Sequence, residues 1–233
     1  MINLRCARDH HKLRCDDILF NMKKLCAVFA AIMTVATVWI FCSCGTDDMR
    51  DVSERRSGYY TASDGVLTVT AVSGVRETPY QIDGKAGELK PYTLITIVPT
   101  EFDIDAVFTY SAQIGSSAYG GALNVHPFAA SFSAEFDAEV SGEFKLTVHC
   151  GGKDSEFEMK SLVTPDMFGY DRAIEAAKTE LKPKGKYEIR VRIIKNPLGG
   201  DGVCWHVAFY WENGRSGVLL DPVTAKVLAK KAG

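Results

Sequence analysis

The side chains that could do chemistry are few and poorly spaced for it. The chain has five histidines and seven cysteines. Beyond residue 45 their only close approaches are His149-Cys150 and Cys204-x-His206. Zinc sites use CxxC or HxxxH-type spacing, and that stretch has neither. Sequence neighbours on a strand point to opposite faces, so His149 cannot serve as base for Cys150. A Gly-x-Ser-x-Gly nucleophile turn is absent. Gly115 to Gly121 (GSSAYGG) has the small residues in the wrong frame and reads as a flexible loop. Gly151-Gly152-Lys153-Asp154-Ser155 lacks the frame of a phosphate loop, and Asp103-x-Asp105 lacks the rest of an EF-hand. Cys6, His10, His11 and Cys15 lie close together in a stretch with no other sign of folded context. The expectation is a protein with no catalytic residue, metal ligand or cofactor. Cys150 and Cys204 are left either as a disulfide or as two buried free thiols.

The elements around these residues are mostly strands. Hydrophobic residues make up 46% and charged residues 24% of the chain, which excludes collagen-like and wholly disordered classes. A net charge of −2 argues against nucleic acid as a partner. Asp47 to Arg56 (DDMRDVSERR) is polar without an apolar period and reads as a tether. From 61 to 162, short runs such as Val66 through Val72, Tyr92–Val98, Phe128–Phe136 and Phe144–Val148 alternate with turn signals. They predict an antiparallel immunoglobulin-like sandwich of about seven strands. After Val163 the pattern changes. Tyr170, Ala173, Ile174, Ala177 and Leu181 form one helical stripe that Pro183 ends. In the strands after it, Tyr187, Ile189, Val191 and Ile193 share a face, with Glu188, Arg190 and Arg192 on the other. Trp205, Val207, Phe209 and Trp211 share the next, and Asn213-Gly214 marks a hairpin. The fold expected is mainly β, with a sandwich over 61–162 and a small α+β module over 163–233, one helix on an antiparallel sheet. Residues 45–162 hold nine basic and eighteen acidic side chains, whereas residues 163–233 hold twelve and eight.

Two stretches resemble known families. Met22-Lys23-Lys24, then the uncharged run Leu25–Phe41, then Ser43-Cys44-Gly45, resembles a bacterial lipoprotein signal peptide. The resemblance implies translation from Met22 and cleavage before Cys44. Cys44 then carries the lipid, with a tether over 45–60. A positive start before the run places residues 45–233 outside the cytoplasm. The helix Ala173–Ala177, the strand Trp205–Phe209 and the segment Gly217–Thr224 resemble the PepSY domain, a cystatin-like, non-enzymatic module. That family implies restraint of a secreted peptidase. The function expected is a non-catalytic binding module on the extracytoplasmic face of the cell membrane, with a protein partner. A glycan-binding adhesin and an enzyme with a carboxylate site are the alternatives. Metabolic labelling with a fatty acid should mark the full chain and disappear in Cys44→Ala; label that persists would exclude lipidation there.

Overall fold

The computed structural model describes residues 50–231. The signal run, Met22 and Cys44 lie outside the described residues. The segment 48–233 forms one compact unit. It contains two hydrophobic cores, one inside the barrel and one under the helix, and so carries the means to fold by itself. Among the described residues, no helix is long and apolar enough to cross a membrane.

Among the described residues, twelve strands and one helix succeed one another. β1 (Val52–Ser63), β2 (Leu67–Glu77), β3 (Leu89–Pro99) and β4 (Phe108–Ile114) come first. β5 (Ser117–Val125), β6 (Phe132–Phe136), β7 (Phe144–Cys150) and β8 (Lys153–Ser161) complete the first half. Helix α1 (Tyr170–Leu181) then leads to β9 (Glu188–Lys195), β10 (Val203–Trp211), β11 (Gly214–Leu220) and β12 (Val227–Lys231).

The immunoglobulin-like sandwich does not form. The first eight strands close an antiparallel barrel in the order β1-β2-β3-β6-β5-β4-β7-β8, with β8 returning to β1. Two short seams make the closure: Asn124 and Val125 of β5 on β6, and Tyr60 and Thr61 of β1 on β8. Alternation fills the barrel with one face of each strand, including Val69, Ile95, Ile97, Phe132, Leu146 and Met159. Tyr60 reaches across this interior, its ring edge-on to Phe144 at 5.3 Å and its hydroxyl donating to Val140 O at 2.9 Å. The GSSAYGG segment is a hairpin turn followed by strand β5, not a loop.

A separate PepSY-like module is also excluded, because the C-terminal strands continue the barrel's own sheet. β9 pairs in parallel with the first half of β1, and β10, β11 and β12 lie successively outward. The tether expected over 45–60 is therefore replaced from Val52 onward by the strand that joins both parts. Its charge misleads: Ser53 and Glu54 are buried, and their polar groups find partners in the fold. β1 serves both parts by bending at a bulge between Arg56 and Gly58. The bend brings β2 very close. A Cβ on Gly74 would lie 2.0 Å from Arg55 O, so this position accepts only glycine.

α1 covers one face of the outer sheet. Ala173, Ile174 and Ala177 press on Ile189, Val191, Val207, Phe209, Val218 and Leu220, with Val52 of β1 in the same core. The helix ends at Lys182, which is left-handed (φ 46°), just before Pro183. Trp205 lies beneath it, 2% exposed, and its indole N–H donates to Phe168 O at 3.1 Å. Trp205→Ala should destabilise the fold by about 3–5 kcal/mol; an unchanged urea midpoint would show that this core is not built as described.

Candidate functional site

The face of the outer sheet away from α1 carries the charged side of β9, and the site is built there. Glu54 and Arg56 of β1 stand beside Arg190 and Arg192 of β9 in the parallel register. With Glu77 and Glu188 they make three carboxylates and three guanidiniums, nearly all withdrawn from water. Arg190 is 3% exposed. Its Nη2 lies 3.0 Å from Glu188 Oε1 and 3.5 Å from Glu77 Oε1, and donates to Gln81 O at 2.6 Å. Its guanidinium sits 4.2 Å from the Tyr80 ring centroid and 5.0 Å from that of Tyr210. Glu54 accepts from Arg56 Nη2 (3.0 Å), the Tyr92 hydroxyl (2.7 Å) and the Tyr80 hydroxyl (2.7 Å).

These contacts set the protonation states. Burial alone would raise the Glu54 pKa; the charges of Arg56 and Arg192 and the two tyrosine hydroxyls outweigh it and hold the pKa below the usual range. Burial dominates at Glu188 and pushes its carboxyl up. Burial and the neighbouring Glu54 charge push Tyr80 up to about 12. Glu77 also ties down the segment between β2 and β3 by accepting from Gln81 N (3.3 Å) and Gly87 N (2.9 Å). This segment roofs the cluster.

Beyond the roof the same face opens into a groove of about 630 Å³. Register explains its depth. Ala208 of β10 sits opposite Gly217 of β11, making a trough between the Tyr210–Arg215 row and the His206–Leu219 row. A Cβ on Gly217 would lie 3.4 Å from His206 Nε2 and 3.6 Å from Ala208 Cβ, so any larger side chain fills the trough. Ala208, Leu219 and Ala229 make the floor apolar, and Arg192, Arg215 and Lys231 supply cations around it. Arg192 Nη2 lies 3.2 Å from His206 Nδ1. A guanidinium only donates, so Nδ1 accepts and the proton sits on Nε2, above the trough. The groove thus offers one neutral donor, three cations and an apolar bed, a set suited to an anion with an apolar body.

A second cluster lies on the barrel wall. Ser111 Oγ is 3.4 Å from His149 Nε2, and His149 Nδ1 is 2.7 Å from Asp154 Oδ1. The order of groups suits nucleophilic catalysis, but the setting does not. Asp154 is 64% exposed, and β4 and β7 are paired on both edges, so their ladders use the N–H groups that an oxyanion would need.

The sequence-predicted thiols do not meet as a disulfide. Cys150 ends β7 in the barrel, Cys204 lies in β10 of the outer sheet, and both are free. Burial pushes the Cys204 thiol up to about 11, so it is inert. Among the described residues no group of three or more His, Cys, Asp and Glu side chains is placed to hold a metal. Sequence reasoning found the charged face of β9 but missed Glu54 and Arg56. The signal available was the matching alternation of Glu54-x-Arg56 and Glu188-x-Arg190-x-Arg192.

His206 makes the site sensitive to acid. Burial, then the charge of Arg192, depress its pKa from 6.5 to about 4. Between these values the unfolded chain binds the proton and the folded one does not. The contribution is therefore intact above pH 6.5 and is lost as pH falls toward 4. It amounts to something on the order of 3 kcal/mol. Urea unfolding should show His206→Gln losing less stability than the parent between pH 7 and pH 4; parallel losses would contradict the assignment. No family model, curated protein or solved structure matches the chain.

Proposed function

We propose that the chain is a lipid-anchored binding module on the extracytoplasmic face of the cell membrane, attached through Cys44, with a protein partner and a non-catalytic role. The observation that carries the binding reading is the trough across Ala208 and Gly217, walled by Tyr210 and rimmed by Arg192, Arg215 and Lys231. Its ligand is an extended acidic segment of the partner with an apolar anchor.

Two features favour a polypeptide. The trough opens beside β12, the terminal strand of the sheet order, which among the described residues pairs with β11 alone. A strand added there gains main-chain hydrogen bonds, while its side chains reach over Ala229 toward the trough. Lysines on a free edge discourage uncharged strands but attract acidic ones. Lys226 and Lys231 flank this edge, and Lys230 is paired with Glu180 of α1 at 2.5 Å.

The test uses residues 48–233 and a fluorescein-labelled peptide of glutamates around a central leucine, read by anisotropy. Binding should weaken with salt. Gly217→Leu, which fills the trough, should weaken it at least about tenfold, on the scale of a lost interface anchor. Unchanged affinity in Gly217→Leu would remove the trough from the reading.

A further inference from the structure

The barrel end remote from Val52 presents a surface of opposite character. β1 is 12 residues long, so its far end lies roughly 35–40 Å along the strand from where the chain enters the fold. Four connections gather there: residues 64–66, 100–107, 126–131 and 151–152. Thr100 N donates to Val66 O at 2.8 Å, and Phe108 pairs with both Leu123 and Cys150.

Seven of the eleven large apolar side chains exposed among the described residues lie on these connections or the adjoining strand ends. Phe128 is 93% exposed, Val107 75%, and Val66 and Ile104 64% each. Ordered backbone holds them outward. Phe128 N donates to His126 Nδ1 at 3.2 Å, and His126 N to Ser131 O at 2.8 Å. Asp105 N donates to Asp103 Oδ1 at 3.0 Å, and the Phe102 ring lies 5.4 Å from that of Phe132. Asp64 Oδ1 accepts from Val66 N and Leu67 N at 2.8 and 2.7 Å. Exposed apolar side chains gathered at one end of a fold cost hydration unless something covers them, and a pre-ordered surface gives up little entropy on binding.

The charge on these connections narrows what covers it. Asp64, Glu101, Asp103 and Asp105 lie between the apolar residues, and Lys153 and Asp154 begin the adjoining strand. Four acids interleaved with apolar side chains repel an anionic bilayer surface and complement cations.

We propose that this barrel end is a second docking surface, for a protein partner that presents a cationic, apolar face. Phe128 and Ile104 are its anchors, and the acidic side chains of 100–107 select the charge. The surface is independent of the trough, which has cations where this end has acids.

The experiment uses residues 48–233 carrying Gly217→Leu, so that the trough is filled and the two surfaces are read separately. A labelled peptide of alternating lysine and leucine is titrated, with its glutamate–leucine counterpart as control. The lysine peptide should bind, bind less in high salt, and lose at least about tenfold in affinity when Phe128→Ser and Ile104→Ser are added. No binding, equal binding of the two peptides, or affinity unchanged by the added pair would overturn the proposal. Two further outcomes would also overturn it. Adsorption to phosphatidylcholine vesicles that the Phe128→Ser and Ile104→Ser pair abolishes would assign the patch to lipid. Self-association in sedimentation of the chain without Gly217→Leu, lost in that same pair, would assign it to a second copy.

Discussion

The fold depends on one parallel pairing, that of β1 with β9. At this seam Glu54, Arg56, Glu77, Glu188, Arg190 and Arg192 bury their charges together. Burying a single one would be prohibitive, because each ion leaves water at a cost of several kcal/mol. Three of each sign, with Tyr80, Tyr92 and Gln81 O adding hydrogen bonds, make the burial tolerable even though Glu188 Oε2 and Arg192 Nε are left without one. Removing one member of such a cluster typically costs about 3–5 kcal/mol, since it leaves an opposite charge uncompensated. The cluster also favours one register, because only at this alignment of the two strands does Arg192 of β9 come within 3.7 Å of Glu54 of β1.

The seam links the barrel to the candidate site. Arg192 belongs to both: its guanidinium approaches Glu54 within the cluster and holds the His206 ring above the trough. The roof over Arg190 is pinned by Glu77 and by the Tyr80 hydroxyl, and the groove opens on the same face from Arg192 and Tyr210 outward. The depth of the opening comes from two small residues facing each other, Ala208 and Gly217. The position of the site thus traces to one cluster, and its shape to one register.

Some of this was legible along the chain. The helical stripe from Tyr170 to Leu181 matches the helix that forms, because its period is local and Pro183 forces its end. The two faces of β9 and β10 were also readable, because alternation in a strand is set by the backbone alone. The closed barrel was not. Whether eight strands make a sandwich or a barrel turns on two seams of two residue pairs each, at Asn124–Val125 and Tyr60–Thr61. No periodicity marks them. Nor was β1 legible over its first five residues, where Ser53, Glu54, Arg55 and Arg56 look like a solvated tether. Polarity reports exposure only when partners are absent, and here they arrive from other strands: Tyr92 for Glu54 and, 136 residues along the chain, Ile189 O for Ser53.

Over the described residues, the sequence by itself determined a strand-rich fold with one helix, the apolar faces of most strands, and an acidic first part followed by a basic second one. These are properties of residues and their immediate neighbours. Tertiary structure alone decided that β1 bridges both parts and that the charges on β9 are buried. It also placed the small residues of β10 and β11 opposite each other and gathered most of the exposed large apolar residues at one barrel end. Each of these depends on which distant strand becomes the neighbour, and that choice is made by collective burial and charge pairing across the whole unit.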